Sequence, residues 1–220
     1  MTETIARIAA PLAVGYLIGG IPWALIIGKR FYGIDPRKHG SGNLGATNVF
    51  RTLGWKAALA VAVLDIAKGA AAVLLAMSVC PPEVRGDARD WVLVSVAIVT
   101  ILGHTYSPYI RFNGGKGVAT AAGVVAVMMP LTWPILFVTF VVVIAIWRMV
   151  SLGSIVIAIE FPLLAWLLYG DRPVLVIFAV CAAALVVFNH RSNLARIARG
   201  EEPKISWSRS GDTPRGADKE

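Results

Sequence analysis

Long apolar runs, separated by short polar stretches, dominate this chain. They lie at 8–27, 53–79, 91–104, 117–129, 134–147, 152–169 and 173–188. A helix crossing a bilayer needs ~20 residues at ~1.5 Å each. Several runs are shorter, so they would begin inside neighbouring loops or cross where the membrane is thin. The stretch 117–147 has the opposite problem. As one helix it would be roughly 46 Å long, against a hydrocarbon core of ~30 Å. Pro130, Trp133 and Pro134 interrupt it. A proline inside a helix costs about 3 kcal/mol, so the pattern predicts a tight reversal and two helices. The first run is long for a signal peptide, and Gly28-Lys29-Arg30-Phe31-Tyr32 follows it instead of a small-residue cleavage site. It is therefore read as a retained span.

Charge placement orients these spans. Lys29, Arg30, Arg37, Lys38, Arg51 and Lys56 follow the first run or open the second. Arg111 and Lys116 follow the third, Arg148 the fifth, and Arg191, Arg196 and Arg199 the last. In the intervening turns Glu83, Arg85, Asp87, Arg89 and Asp90 nearly cancel, and Asp171 adjoins Arg172. The positive-inside rule then puts the N-terminus outside and the C-terminus in the cytoplasm. The expected fold is an all-α polytopic membrane bundle of about seven transmembrane helices. Residues 1–199 are read as one transmembrane domain. Residues 200–220, rich in Ser, Gly, Pro and mixed charge, form a flexible cytoplasmic tail.

Composition narrows the classes. At 57% hydrophobic residues the chain has more apolar material than a soluble core of this size holds. The net charge of +8 would suggest nucleic acid in a soluble protein. Here the cations sit beside span ends and suit anionic headgroups instead, so no nucleic-acid partner is expected. Cys80 and Cys181 offer neither zinc spacing nor a disulfide framework. Acidic residues do not cluster near the polar stretches, so no metal and no cofactor are expected.

Three polar islands fall at the cytoplasmic ends of spans. The first runs from Gly40 through Ser41, Asn43, Thr47 and Asn48 to Arg51. Its glycines, amides and hydroxyls can present N–H groups and short side chains to an anion; equally, Thr47 or Asn48 could cap the next helix. The second runs from Gly103 and His104 to Asn113-Gly114-Gly115-Lys116-Gly117 and Thr120. A glycine-rich turn with a lysine, opening a helix, suits phosphate. It is not a Walker A loop, because Gly117 follows the lysine where Ser or Thr is required; its lysine could also simply meet lipid phosphate. The third puts His190, Asn193 and Arg196 or Ile197 at spacings that share one helical face. So many cations suit more than one phosphate. Deeper in the spans, Asp65 and Lys68 are one turn apart and read as a mutually neutralising pair, while Glu160 has no partner near in sequence.

Ser41-Gly-Asn-Leu-Gly-Ala-Thr-Asn48, Gly103-His-Thr-Tyr-Ser-Pro108 with Phe112-Asn-Gly-Gly-Lys-Gly-Val-Ala-Thr120, and His190-Arg-Ser-Asn-Leu-Ala-Arg-Ile197 with Gly200 and Glu201 resemble three signature segments. They are those of the bacterial acyl-phosphate-dependent glycerol-3-phosphate acyltransferases. The resemblance covers nearly the whole chain, in the same order. It implies a seven-helix inner-membrane enzyme of phospholipid synthesis, working at the cytoplasmic face. Such an enzyme moves a fatty acyl group from acyl phosphate to the first hydroxyl of sn-glycerol 3-phosphate, giving lysophosphatidic acid and phosphate. It implies substrate-site roles for Ser41, Arg51, Lys116, His190 and Asn193, and a phosphate pocket lined by Gly114, Gly115 and Gly117. A soluble enzyme supplying acyl phosphate becomes an expected partner, beside membrane lipid. Asn43, Thr47, Asn48 and His104 join the candidate substrate ligands; His190, Lys116 and Ser41 are the candidate catalytic groups.

Acyl phosphate carries its own leaving group, so positioning and charge stabilisation can do most of the work. The hydroxyl proton can go to His190 or to a substrate phosphate. Ser41 as a covalent nucleophile would need an adjacent base, which the sequence does not reveal. A carrier for a phosphorylated solute is the rival class, but it should show internal repeats and polar groups towards both faces.

Overall fold

A computed structural model describes residues 2–205. Ten α-helices follow in order: α1 (Thr2–Gly20), α2 (Trp23–Tyr32), α3 (Ala46–Leu53), α4 (Trp55–Val79), α5 (Gly86–Thr105), α6 (Val118–Met128), α7 (Thr132–Trp147), α8 (Val150–Tyr169), α9 (Pro173–Asn189) and α10 (Arg191–Ala198). Single 3-10 turns occupy Pro36–Lys38 and Pro108–Ile110, and no strand occurs among the described residues. Four stretches, Ala9–Tyr32, Trp55–Val79, Gly86–Ile110 and Val150–Tyr169, are long and apolar enough to cross a membrane; the bent pair Pro173–Asn189 and Arg191–Ala198 makes a fifth. α6 and α7 are apolar but shorter.

One expected span is broken rather than continuous. The first bends at Ile21-Pro22, between α1 and α2. Pro22 has no N–H to donate and its ring crowds the preceding turn. The carbonyls at the break find other donors: Ser107 Oγ lies 2.5 Å from the Gly20 oxygen and Lys68 Nζ lies 2.9 Å from that of Ile21. The second span is continuous as α4, and Gly54, with φ of +88°, separates it from the short α3. A side chain there would be strained in that conformation. The run 117–147 is divided as predicted, with a break at residues 129–131 between α6 and α7.

The main core gathers around α5, where Leu93, Val94, Val96, Ala97 and Ile101 pack with Val73, Val124, Leu175 and Phe178. A smaller cluster of Ala24, Ile27, Leu44, Val49 and Val61 supports the first polar island. Phe137, Val138, Val142 and Ile146 of α7 and Ile159, Leu163 and Trp166 of α8 remain exposed, as expected of helices that face lipid. In lipid, helices associate by close packing. A Cβ added at Gly123 would overlap the Ile66 carbonyl, so α6 lies directly on α4.

Polar contacts mark the two ends of the bundle. At one end Arg172 forms a bidentate pair with Asp90, at 2.9 and 2.5 Å, and the Leu131 N–H donates to the Tyr169 hydroxyl at 3.1 Å. At the other, the Ile205 N–H donates to the Arg148 carbonyl at 2.7 Å and Arg51 donates to the Pro203 carbonyl at 3.3 Å. Residues 201–205 are thus held against the bundle. The flexible tail expected from residue 200 onward does not begin there, because Glu202 is buried and hydrogen-bonded. The remainder of that tail, 206–220, lies outside the described residues.

Candidate active site

The third island is built on a helix break. α9 stops at Asn189, His190 forms the junction, and α10 departs at 60°. His190 is 3% exposed. Its Nδ1 lies 2.7 Å from the Val186 carbonyl. A carbonyl can only accept, so the proton sits on Nδ1 and Nε2 keeps its lone pair. Burial, and then the nearby Lys116 charge, push the His190 pKa down to about 4. The ring is therefore neutral at physiological pH.

Gly200, with φ of +72°, turns the chain back after α10 and delivers Glu202 beneath it. Glu202 Oε1 accepts from Ser151 Oγ at 2.7 Å and from Asn193 Nδ2 at 2.7 Å. Its Oε2 accepts from Arg196 Nε at 2.8 Å. Burial pushes this carboxyl up, but those hydrogen bonds outweigh burial and hold its pKa below the usual value. Asn193 Oδ1 in turn accepts from Lys116 Nζ. Burial is the largest influence on Lys116 and, with Arg196 and Arg51 acting the same way against Glu202, lowers its pKa to about 8.

The second island is a turn laid back onto the end of α5. The Gly114 N–H donates to the Thr105 carbonyl at 2.9 Å and the Gly115 N–H to the His104 carbonyl at 3.1 Å. Those two N–H groups are thus not available to an anion. Glycine is needed here for space: a Cβ on Gly114 would overlap the His104 carbonyl, and one on Gly115 would overlap His104 Nε2. The N–H groups of Lys116, Gly117, Val118 and Ala119 have no partner among the described residues. They open α6, where the helix dipole also favours an anion. The unpaired N–H groups of the turn therefore begin at Lys116, two residues further towards α6 than Gly114.

In the first island Asn48 is an internal pin. It is 2% exposed, its Oδ1 accepts from the Ser41 N–H at 2.8 Å, and its Nδ2 donates to the Pro36 and His39 carbonyls at 2.9 and 3.2 Å. Gly45, not Thr47 or Asn48, precedes the first residue of α3, with no side-chain cap. Ser41 is exposed, with its hydroxyl 3.5 Å from the Asn43 N–H. Leu44 of this loop shares a small cavity with Gly114, Gly115 and His104, which joins the first island to the second.

Of the expected site residues, the fold draws Arg51, Lys116, His190 and Asn193 into one charged cluster. Ser41, Asn43 and Thr47 sit on the adjoining loop, and no hydrogen bond or ion pair joins them to Lys116 or His190 among the described residues. His104 lies below the turn, with Nδ1 3.6 Å from Asp65 Oδ1. Asp65 also pairs with Lys68 at 2.8 Å, the expected pairing. Glu160 accepts from Thr139 Oγ1 at 3.2 Å. Ser151 and Glu202 were not singled out from sequence. Gly200-Glu201-Glu202 after the last helix is the one local hint, since nothing in the pattern shows that the chain turns back.

An apolar groove of about 740 Å³ runs between α2 and α4, lined by Ile26, Phe31, Ala60 and Leu64 with Lys56 at its edge. Trp23 lines both this groove and the small cavity under the glycine turn.

The family model for glycerol-3-phosphate acyltransferase matches residues 9–200. The chain belongs to the glycerol-3-phosphate acyltransferase family. It is 43% identical over 197 residues to glycerol-3-phosphate acyltransferase 3 of Bacillus anthracis, covering 89% of this chain and 94% of that one. It is 43% identical over 194 residues to the glycerol-3-phosphate acyltransferase of Listeria monocytogenes serovar 1/2a, covering 88% and 94%. Among solved structures it resembles PlsY (YgiH), an integral membrane glycerol 3-phosphate acyltransferase. Against the glycerol 3-phosphate form the TM-score is 0.82 at 34% identity, with 90% of this chain and 96% of that one covered. Against the lysophosphatidic acid form it is 0.79 at 33% identity, with 90% and 95% covered. Family membership and the clustering of Arg51, Lys116, His190 and Asn193 rest on independent observations.

Proposed function

We propose that this protein transfers a fatty acyl group from acyl phosphate to the first hydroxyl of sn-glycerol 3-phosphate, releasing lysophosphatidic acid and phosphate. One observation carries the reading: three segments far apart in sequence place Arg51, Lys116 and the His190–Asn193 pair in one charged cluster at one end of a membrane bundle. Both substrates are anionic, and a cationic cluster beside free N–H groups suits two phosphates. The soluble substrate arrives from the aqueous side. The acyl tail lies in the groove between α2 and α4, which shares Trp23 with the small cavity under the glycine turn.

Transfer is a single displacement. The glycerol oxygen attacks the acyl carbonyl, a new C–O ester bond forms, and the C–O bond to phosphate breaks. Lys116 and the N–H groups opening α6 hold the glycerol phosphate, and in the transition state the Lys116 charge also offsets charge building on the departing phosphate. Arg51 holds the glycerol phosphate, with Ser41, Asn43 and Thr47 on the adjoining loop. His190 Nε2 accepts the hydroxyl proton's hydrogen bond and aims the oxygen. With a pKa of about 4 it is a weak base, because efficient proton transfer wants a value near the working pH. A phosphate oxygen, with its second pKa near ~6, takes the proton instead. Among the described residues no base is hydrogen-bonded to the Ser41 hydroxyl, which favours direct transfer over an acyl-enzyme.

The reading includes a topology: seven crossings, N-terminus outside, with the site at the cytoplasmic face of the bacterial inner membrane. Residues 131, 169 and 172 share one end with residue 90, while 51, 148, 151 and 203 share the other with 116 and 193. That arrangement supports α6 and α7 as two separate passes. A soluble enzyme supplying acyl phosphate would dock near this second end. The decisive experiment mixes purified protein with palmitoyl phosphate and glycerol 3-phosphate and follows phosphate release. Turnover that is lost in Lys116→Ala, with folding intact, supports the enzyme. Absence of turnover by the wild type refutes it and favours a carrier or headgroup receptor.

A further inference from the structure

Beneath the glycine turn lies a polar cluster to which the transfer reaction assigns no task. Asp65, Lys68 and His104 are 2, 5 and 7% exposed, inside otherwise apolar helices. Asp65 Oδ1 stands between Lys68 Nζ at 2.8 Å and His104 Nδ1 at 3.6 Å. Charges in such a position are costly unless paired, and are then tied to function more often than not. Simple neutralisation of Lys68 by Asp65 would need neither of the two further contacts the cluster makes.

The first contact is on the lysine side. Lys68 Nζ donates to the Ile21 carbonyl at 2.9 Å, at the break between α1 and α2. The second is on the histidine side. The His104 carbonyl accepts the Gly115 N–H at 3.1 Å, and its ring lies so close that Gly115 has no room for a Cβ. His104 therefore forms the floor of the turn through both its backbone and its ring. Residue 116, immediately beyond this floor, carries the ammonium that reaches Asn193. Asp65, Lys68, His104, Gly114, Gly115 and Ile21 all line the same cavity of about 10 Å³. So little space lets a movement of the ring pass directly to the turn.

We propose that Asp65 is a positioning residue for the phosphate-binding turn: it fixes the His104 ring beneath Gly115 and, through Lys68, fixes the α1–α2 break, so that Lys116 and the first N–H groups of α6 face the substrate phosphate. Asp65 touches no substrate. It acts through His104, and the effect of losing it falls on phosphate binding. The acyl groove lies on the other side of Trp23, and its occupant is unaffected. This rests on the acyltransferase reading above.

The test uses full-length protein in lipid nanodiscs, with steady-state kinetics for both substrates. Asp65→Asn leaves Lys68 unpaired and risks misfolding, so the double variant Asp65→Asn/Lys68→Met, which removes both charges, is measured beside it. The double variant is expected to raise KM for glycerol 3-phosphate about tenfold, with KM for palmitoyl phosphate within twofold of wild type. Asp65→Glu, which keeps the charge, is expected to recover part of the loss. Unchanged KM for glycerol 3-phosphate in a folded double variant overturns the positioning role and leaves only mutual neutralisation. An equal rise in both KM values, or a fall in kcat alone, also overturns it. Wild type is assayed in parallel: if it turns over and the double variant matches it, this inference alone fails, whereas no wild-type turnover removes the acyltransferase reading and this inference with it.

Discussion

Glu202→Ala is the most informative single perturbation of the site. The wild-type carboxylate accepts from Ser151, Asn193 and Arg196 at 2.7, 2.7 and 2.8 Å. Its side chain is 2% exposed, while that of Arg196 is 33% exposed. Removing one partner of a buried pair typically costs about 3–5 kcal/mol, because the other is left uncompensated. Water can reach Arg196 and relieve part of that, so the lower end, about 3 kcal/mol, is expected. At ~1.4 kcal/mol per tenfold this is roughly a hundredfold in an equilibrium or a rate. Activity falls further for a second reason. Glu202 raises the Lys116 pKa against burial, so without it less of the lysine is charged near neutral pH. Glu202→Gln separates the two effects. Its amide oxygen still accepts from Ser151 and Asn193, but its NH₂ then faces the Arg196 donor, and one charge-assisted bond worth about 1.5–3 kcal/mol is lost. The assay is the half-life of thermal inactivation in detergent, with phosphate release measured on the surviving fraction. Half-life and turnover in Glu202→Ala equal to wild type would show that the returning segment does not organise the site.

Four other outcomes are expected. Lys116 has its folded pKa lowered from 10.5 to about 8, so it releases its proton as pH rises through 8, and KM for glycerol 3-phosphate should climb above that pH. Lys116→Arg should remove the break below pH 10, whatever its absolute KM; the same lowered pKa means that Lys116 costs stability below pH 8, a cost that fades towards pH 10.5 as the unfolded chain also loses its proton. Gly115→Ala forces a methyl against His104 Nε2; overpacking of about 1–3 kcal/mol should appear as a KM increase for glycerol 3-phosphate of roughly 5- to 150-fold in steady-state assays. Asn48→Ala leaves the Ser41 N–H and the Pro36 and His39 carbonyls without their partner, at about 1–3 kcal/mol for each group that stays dry, and should lower Tm and make the 36–48 loop sensitive to protease. In a background without Cys80 and Cys181, a cysteine at Asp171 should label only from outside sealed cells and one at Lys204 only from inside.

The apolar runs located the helices closely, because a membrane helix must satisfy its own backbone and repel water along its whole length. That requirement is written residue by residue: the runs at 152–169 and 173–188 reappear as Val150–Tyr169 and Pro173–Asn189. Pro22 is visible in the sequence, but the break at it is not. The freed carbonyls there need other donors, and these are Ser107 and Lys68, far away in the chain.

The three polar islands were legible for a similar reason. Phosphate chemistry needs Lys, Arg, Asn and glycine-rich turns, and an apolar chain leaves them conspicuous. The sequence by itself therefore determined that this is a membrane bundle with polar, cation-bearing segments at span ends. It could not say what each polar residue does there. Asn48 serves its own loop, the N–H groups of Gly114 and Gly115 serve α5, and Asp65 reaches His104. Nor could it place Glu202, which enters the site only because Gly200 reverses the chain. Those assignments depend on which donors and acceptors meet across separations of 7 to 77 residues, and only tertiary packing decides that.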